Sequence, residues 1–127
     1  MENEGKEIGG THYSDMKIEP VELITALDLD FVQGCIVKYV SRYKNKNGVE
    51  DLLKARHYCI IGKQTPHYIE DRLDSGQALM LKMYCMLNGI EDAENMIIGY
   101  AIIGDYDKCS DALNELIVKL VSKTELA

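Results

Sequence analysis

Residues 31–62 read FVQGCIVKYVSRYKNKNGVEDLLKARHYCIIG. Apolar side chains recur here at three- and four-residue intervals, the period of a helix. Asp28 or Asp30 is placed to cap a helix running from about Phe31 to Tyr43, and NKNG stops it. After Gly48 the segment VEDLLKARHYCII has helical composition and is expected to end at Gly62. Working outward, IEPVELITAL puts Pro20 in a first helical turn with Glu19 and Glu22 beside the N-terminus, which predicts a short helix over 20–27. Downstream, Thr65-Pro66 opens a helix expected to reach Leu87 before NG closes it, and two more follow over 92–103 and 106–122. No stretch alternates cleanly with period two, so the sequence predicts an all-α domain, a compact bundle of about five or six helices.

Residues 1–11, MENEGKEIGGT, are polar and glycine-rich and predict a flexible arm. Residues 12–127 are expected to form one helical domain, in line with a chain of 127 residues. Within it, 12–62 holds the chemically distinctive residues. The region 66–127 carries packing seams: Ile69, Leu73, Gly76, Met80, Met83 and Leu87, then Cys109, Leu113, Leu116 and Leu120. Seams at this spacing pack helix on helix, either inside one chain or between copies, and a homo-oligomer is expected. The four cysteines, Cys35, Cys59, Cys85 and Cys109, form no C-x-x-C pair and read as reduced core residues. Without a basic-then-apolar leader or an apolar run long enough to span a bilayer, the chain is expected in the cytoplasm and away from membranes.

The formal net charge is -7, yet residues 36–58 hold six of the fourteen basic residues, Lys38, Arg42, Lys44, Lys46, Lys54 and Arg56, against Glu50 and Asp51. Such an acidic chain repels polyanions, which argues against a broad nucleic-acid surface, while one basic locality remains open to a small anion. At about 100° per residue, Phe31, Val32, Cys35, Ile36, Tyr39, Val40 and Tyr43 share a broad face. Gly34, Lys38, Ser41 and Arg42 gather on the other. Gly34 offers bare backbone for a close approach, Lys38 a mobile charge and Arg42 a planar fork for paired oxygens. On the next helix Asp51, Lys54, Ala55 and Tyr58 share a face, and Tyr39 and Tyr58 supply aromatic walls if the two faces converge. The blander alternative pairs Lys38 and Arg42 with Glu19, Glu22 or Asp51, gives Gly34 to helix packing and leaves Lys44 and Lys46 in solvent.

His12-Tyr13, Ile18-Glu19, Phe31, Gly34, Lys38-Tyr39, Arg42, Lys44, Asp51-Leu52, Lys54-Ala55 and Tyr58 form an ordered constellation. It resembles a small phage domain family of unknown function described as nucleotide kinase-like, over about residues 11–62. Members include a deoxynucleoside monophosphate kinase without the usual phosphate loop, so the resemblance implies a nucleotide ligand, not necessarily catalysis, and for a phage protein the cytoplasm is the host cell's. It adds His12 and Tyr13 to the candidate ligand residues Gly34, Lys38, Tyr39, Arg42, Lys54 and Tyr58.

Catalytic machinery is not legible. The chain lacks G-x-x-x-x-G-K-[ST], and Gly99 and Gly104 flank YAII with no lysine following. Glu19/Glu22 and Glu91/Glu94 have the E-x-x-E spacing of magnesium-dependent pyrophosphohydrolases, and Asp71/Asp74 are similarly spaced, but no E-x-x-D completes the set. His12, His57 and His67 lack metal-ligand spacing. No metal, cofactor or catalytic residue is assigned. The expectation is a protein that binds a nucleotide or nucleotide-derived small molecule, sequestering a host immune signal without turnover. A nucleoside monophosphate kinase and a structural adaptor are the alternatives.

Overall fold

Acidic side chains set the starts of most helices in the computed structural model, which describes residues 16–64 and 72–126. Helix α1 (Pro20–Ala26) follows Glu19, whose N–H donates to Glu22 Oε2 at 2.7 Å. Helix α2 (Phe31–Arg42) opens with a reciprocal box: Gln33 N donates to Asp30 Oδ1 at 2.8 Å and Asp30 N to Gln33 Oε1 at 3.0 Å. A 3₁₀ turn (Tyr43–Asn45) and Gly48, at φ 58°, lead into α3 (Val49–Gln64). Helix α4 (Ser75–Leu87) repeats the box with Asp74 and Gln77. Helix α5 (Asp92–Ile103) stops at Gly104, in the left-handed region at φ 76°, and α6 (Tyr106–Leu126) completes the chain. The described residues contain six α-helices and no strand, as the periodicity requires.

Three boundaries depart from expectation for local reasons. Gly62 does not end α3, which runs to Gln64. A Cβ at Gly62 would lie 2.6 Å from the Tyr106 ring, so the glycine permits α3 and α6 to approach closely. The helix expected from Thr65 begins instead at Ser75, where Asp74 has a glutamine three residues on. Thr65, Pro66 and Ile69 lie outside the described residues, as does the whole of the expected arm. Finally α6 runs past Ser122, since its amphipathic pattern carries no breaker there.

Helix α2 sits at the centre, packed on α1, α3 and α5, while α6 closes against α3 and α5. Ile36, Val37, Val40, Leu52, Ile98 and Leu113 are completely buried or nearly so. Gln33, also buried, donates from Nε2 to Ala101 O at 3.0 Å and Ile102 O at 2.9 Å, satisfying carbonyls at the end of α5. The four cysteines are free and buried. Cys109, Leu113 and Leu116 of the second seam are buried and Leu120 packs against them, so that seam is used inside the chain.

Helix α4 is attached more lightly. Tyr84 is fully buried and its hydroxyl donates to Ser41 Oγ at 2.6 Å, while Gln77 Nε2 donates to Ala26 O at 3.2 Å. Leu73 and Met80 of the first seam pack on the core, but Met83 and Leu87 are 43% and 51% exposed, and Leu79 and Met86 join them at the surface. Among the described residues no helix is long and apolar enough to cross a membrane.

Candidate functional site

The short turn after α2 folds α3 back against it, and this hairpin brings the two expected faces together. Tyr39 of α2 stacks on Tyr58 of α3 with ring centroids 6.1 Å apart and planes 20° from parallel. Three cations converge on the Tyr39 ring: Lys38 Nζ at 4.6 Å, Arg42 Cζ at 4.7 Å and Lys54 Nζ at 5.6 Å from its centroid. All lie within the reach of a cation–π interaction, so the ring's electron-rich face steadies charges that would otherwise repel one another. A hydrogen bond with the Cys35 thiol holds the Tyr58 phenol above its ordinary value.

Arg42 has a second commitment. Its Nε and Nη2 each lie 3.3 Å from the Asp51 carboxylate, with the Asp51 side chain at 0% exposure and Arg42 at 12%. Asn47 N also donates to Asp51 Oδ2 at 3.3 Å, and Lys54 Nζ stands 4.0 Å from Oδ1. A carboxylate this deep is tolerated only when paired and hydrogen-bonded, so Asp51 fixes where Arg42 and Lys54 stand. Lys38 has no acidic partner among the described residues.

Two depressions flank this arrangement. An open concavity of about 510 Å³ is lined by Tyr39, Glu50, Leu53, Lys54, His57 and Tyr58. A smaller, largely apolar groove of about 240 Å³ lies between α1 and α2, lined by Ile24, Leu29, Asp30, Phe31, Gly34, Cys35 and Lys38. Gly34 is not bare to solvent. It is buried, its amide donates to Asp30 O at 2.8 Å, and a Cβ there would meet Ile24 Cγ2 at 3.3 Å. Its role is close packing of α1 on α2, with its backbone forming part of the groove floor.

The structure thus brings Gly34, Lys38, Tyr39, Arg42, Lys54 and Tyr58 into one region. His12, Tyr13 and His67 lie outside the described residues. Phe31, grouped by periodicity with Ile36 and Val40 on one broad face, is 76% exposed and meets Tyr58 edge-on at 6.1 Å. Its place as the first residue of α2, beyond the crowded part of the helix, was the available signal. The concavity also recruits His57, three residues on from Lys54, and Leu53, four residues before His57, so the same helical spacing could have reached them.

A second polar cluster was not foreseen. Lys44, expected in solvent, pairs with Glu91 at 2.7 Å and with Glu94 at 3.4 Å. Glu94 is buried and accepts a short hydrogen bond from the Tyr43 hydroxyl, and burial followed by that bond pushes the Tyr43 phenol well above its ordinary range. The Glu91/Glu94 pair is thus engaged in fastening α5 to the end of α2. Among the described residues no group of three or more His, Cys, Asp or Glu is placed to hold a metal ion.

A family model, described only as a protein of unknown function (DUF3310), matches residues 9–59, a span that includes all eight candidate ligand residues. No curated protein and no solved structure matches the chain.

Proposed function

We propose that the protein binds a nucleotide or nucleotide-derived small molecule on the α2–α3 face and holds it without turnover. The observation that carries this reading is an open concavity walled by Lys54 and the stacked rings of Tyr39 and Tyr58, with Lys38 against the same Tyr39 ring at its border with the groove. A flat base gains by stacking on Tyr58 or Tyr39, and phosphate gains from Lys38 and Lys54. Binding rather than group transfer is favoured because the carboxylates beside the site are engaged: Asp51 by Arg42, and Glu50 by Lys54 at 3.8 Å. With the phage setting that the resemblance implies, this reading is a sink that withholds a host nucleotide signal from its receptor.

The exposed stripe of α4 supports association between copies. Leu79, Met83, Met86 and Leu87 face solvent on a helix with no acidic residue and a single charge, Lys82. A chain of net charge -7 therefore meets little self-repulsion there. Incubating the purified chain with nucleoside monophosphates, ATP and magnesium separates the readings. Intact nucleotide recovered after denaturation supports sequestration, whereas diphosphate formation lost in Lys38→Ala supports a kinase.

A further inference from the structure

We propose that the ligand carries two flat ring systems joined through phosphate, that is, a dinucleotide, with one ring in each depression and the linking phosphate at Lys38. This rests on the nucleotide-binding reading above. The two depressions share a partition. Phe31 lines the groove, and its ring touches Tyr58, a wall of the concavity. Lys38 also lines the groove, and its ammonium stands 4.6 Å from the ring of Tyr39, another wall of the concavity. One aromatic ring and one cation therefore look both ways.

Size points in the same direction. At about 240 Å³ the groove falls below the roughly 300 Å³ at which small-molecule pockets begin, so it suits one ring of a larger ligand. Its lining is apolar apart from Asp30 and Lys38, and the Asp30 carboxylate already accepts from Gln33 N at 2.8 Å. The groove therefore favours a flat, uncharged group and offers charge only at its Lys38 end. The concavity, at about 510 Å³, holds a second ring on Tyr58 with room for a sugar. Between them a phosphodiester brings one negative charge to Lys38, the cation with no acidic partner among the described residues. A mononucleotide fills one side and leaves the other open.

The test is isothermal titration calorimetry on the full chain with three adenine ligands and their guanine and uracil counterparts. These are the nucleoside monophosphate, the linear 3′,5′-linked dinucleoside monophosphate, and the cyclic dinucleotide; a pyrophosphate-linked dinucleotide tests the longer bridge. A second stacked base is worth on the order of tenfold to a hundredfold in Kd, so at least one dinucleotide should bind tighter than its mononucleotide by that factor. Leu29→Ala, at a side chain that lines the groove and not the concavity, should abolish that advantage while leaving mononucleotide affinity within about twofold. Equal affinity for mono- and dinucleotide overturns the two-ring arrangement and leaves the nucleotide reading standing. An equal loss for both ligands in a folded Leu29→Ala protein also overturns it, since the groove then serves the same ring. If none of these ligands binds, both readings fall.

Discussion

Replacing Arg42 by alanine should damage the fold before it reports on ligand affinity. Asp51 is wholly buried, and Arg42 provides the two nearest cationic nitrogens, each at 3.3 Å. Truncation leaves the carboxylate with Asn47 N at 3.3 Å, Asn47 Nδ2 at 3.5 Å and Lys54 at 4.0 Å, none of which replaces a guanidinium. Removing one member of a buried pair costs about 3–5 kcal/mol. Arg42 keeps 12% of its exposure, which places the expected loss near the lower end, at about 3 kcal/mol. Against a total stability of roughly 5–15 kcal/mol, that shift is large enough to read directly from urea unfolding followed by far-ultraviolet circular dichroism. The matching control is Arg42→Met combined with Asp51→Leu. Because exchanging both charges for apolar groups of similar volume is often neutral, this double variant should recover most of the loss. A loss below about 1 kcal/mol in Arg42→Ala, the range of exposed surface pairs, would refute the buried-pair argument and free Arg42 for direct ligand contact.

The remaining predictions probe packing, titration and assembly. Gly62→Ala drives a methyl group to 2.6 Å from the Tyr106 ring and should cost about 1–3 kcal/mol by overpacking; a variant as stable as the parent contradicts the close α3–α6 approach. Desolvation pushes the Tyr106 phenol up to about 12, so the folded state holds that proton more tightly than the unfolded chain does near 10. Its contribution is intact below about pH 10 and is lost as the pH rises toward 12, on the order of 2 kcal/mol. Urea midpoints at about pH 9 and pH 11.5 should show that fall, with a smaller one in Tyr106→Phe; equal falls in both proteins assign the effect elsewhere. Met83→Glu adds a charge to the exposed stripe of α4 and should shift any oligomer to smaller species in light scattering, while unchanged assembly removes this face from the interface.

Helix positions were largely legible because caps and breakers are local. Asp30 with Gln33, Pro20, and Gly104 all act within a few residues of the boundary they set. The start of α4 was missed because Thr65-Pro66 resembles a helix opening, whereas Asp74 with Gln77 forms the actual capping box. The i, i+4 rows placed Lys38 with Arg42 and Lys54 with Tyr58 and left convergence of the two faces as a condition, which the α2–α3 hairpin meets. What those rows could not supply was depth. Burial of Asp51 at 0% exposure arises from the turn folding Asn47 over it, and Phe31 stands in solvent because, as the first residue of α2, it precedes the buried run that begins at Gln33. The Tyr43–Glu94 bond joins residues 51 positions apart, and no local pattern marks it.

Native mass spectrometry of the full chain, purified from cell extract under non-denaturing conditions, tests the central claim most directly. The account predicts a retained mass that corresponds to a nucleotide or dinucleotide, released unchanged on denaturation because only the folded chain binds it. The same mass should be weakened or lost in Lys38→Ala, a substitution that leaves the Arg42–Asp51 pair in place. Full retention in a folded Lys38→Ala protein, or a bound molecule without phosphate, would contradict the assignment of this face as a nucleotide site.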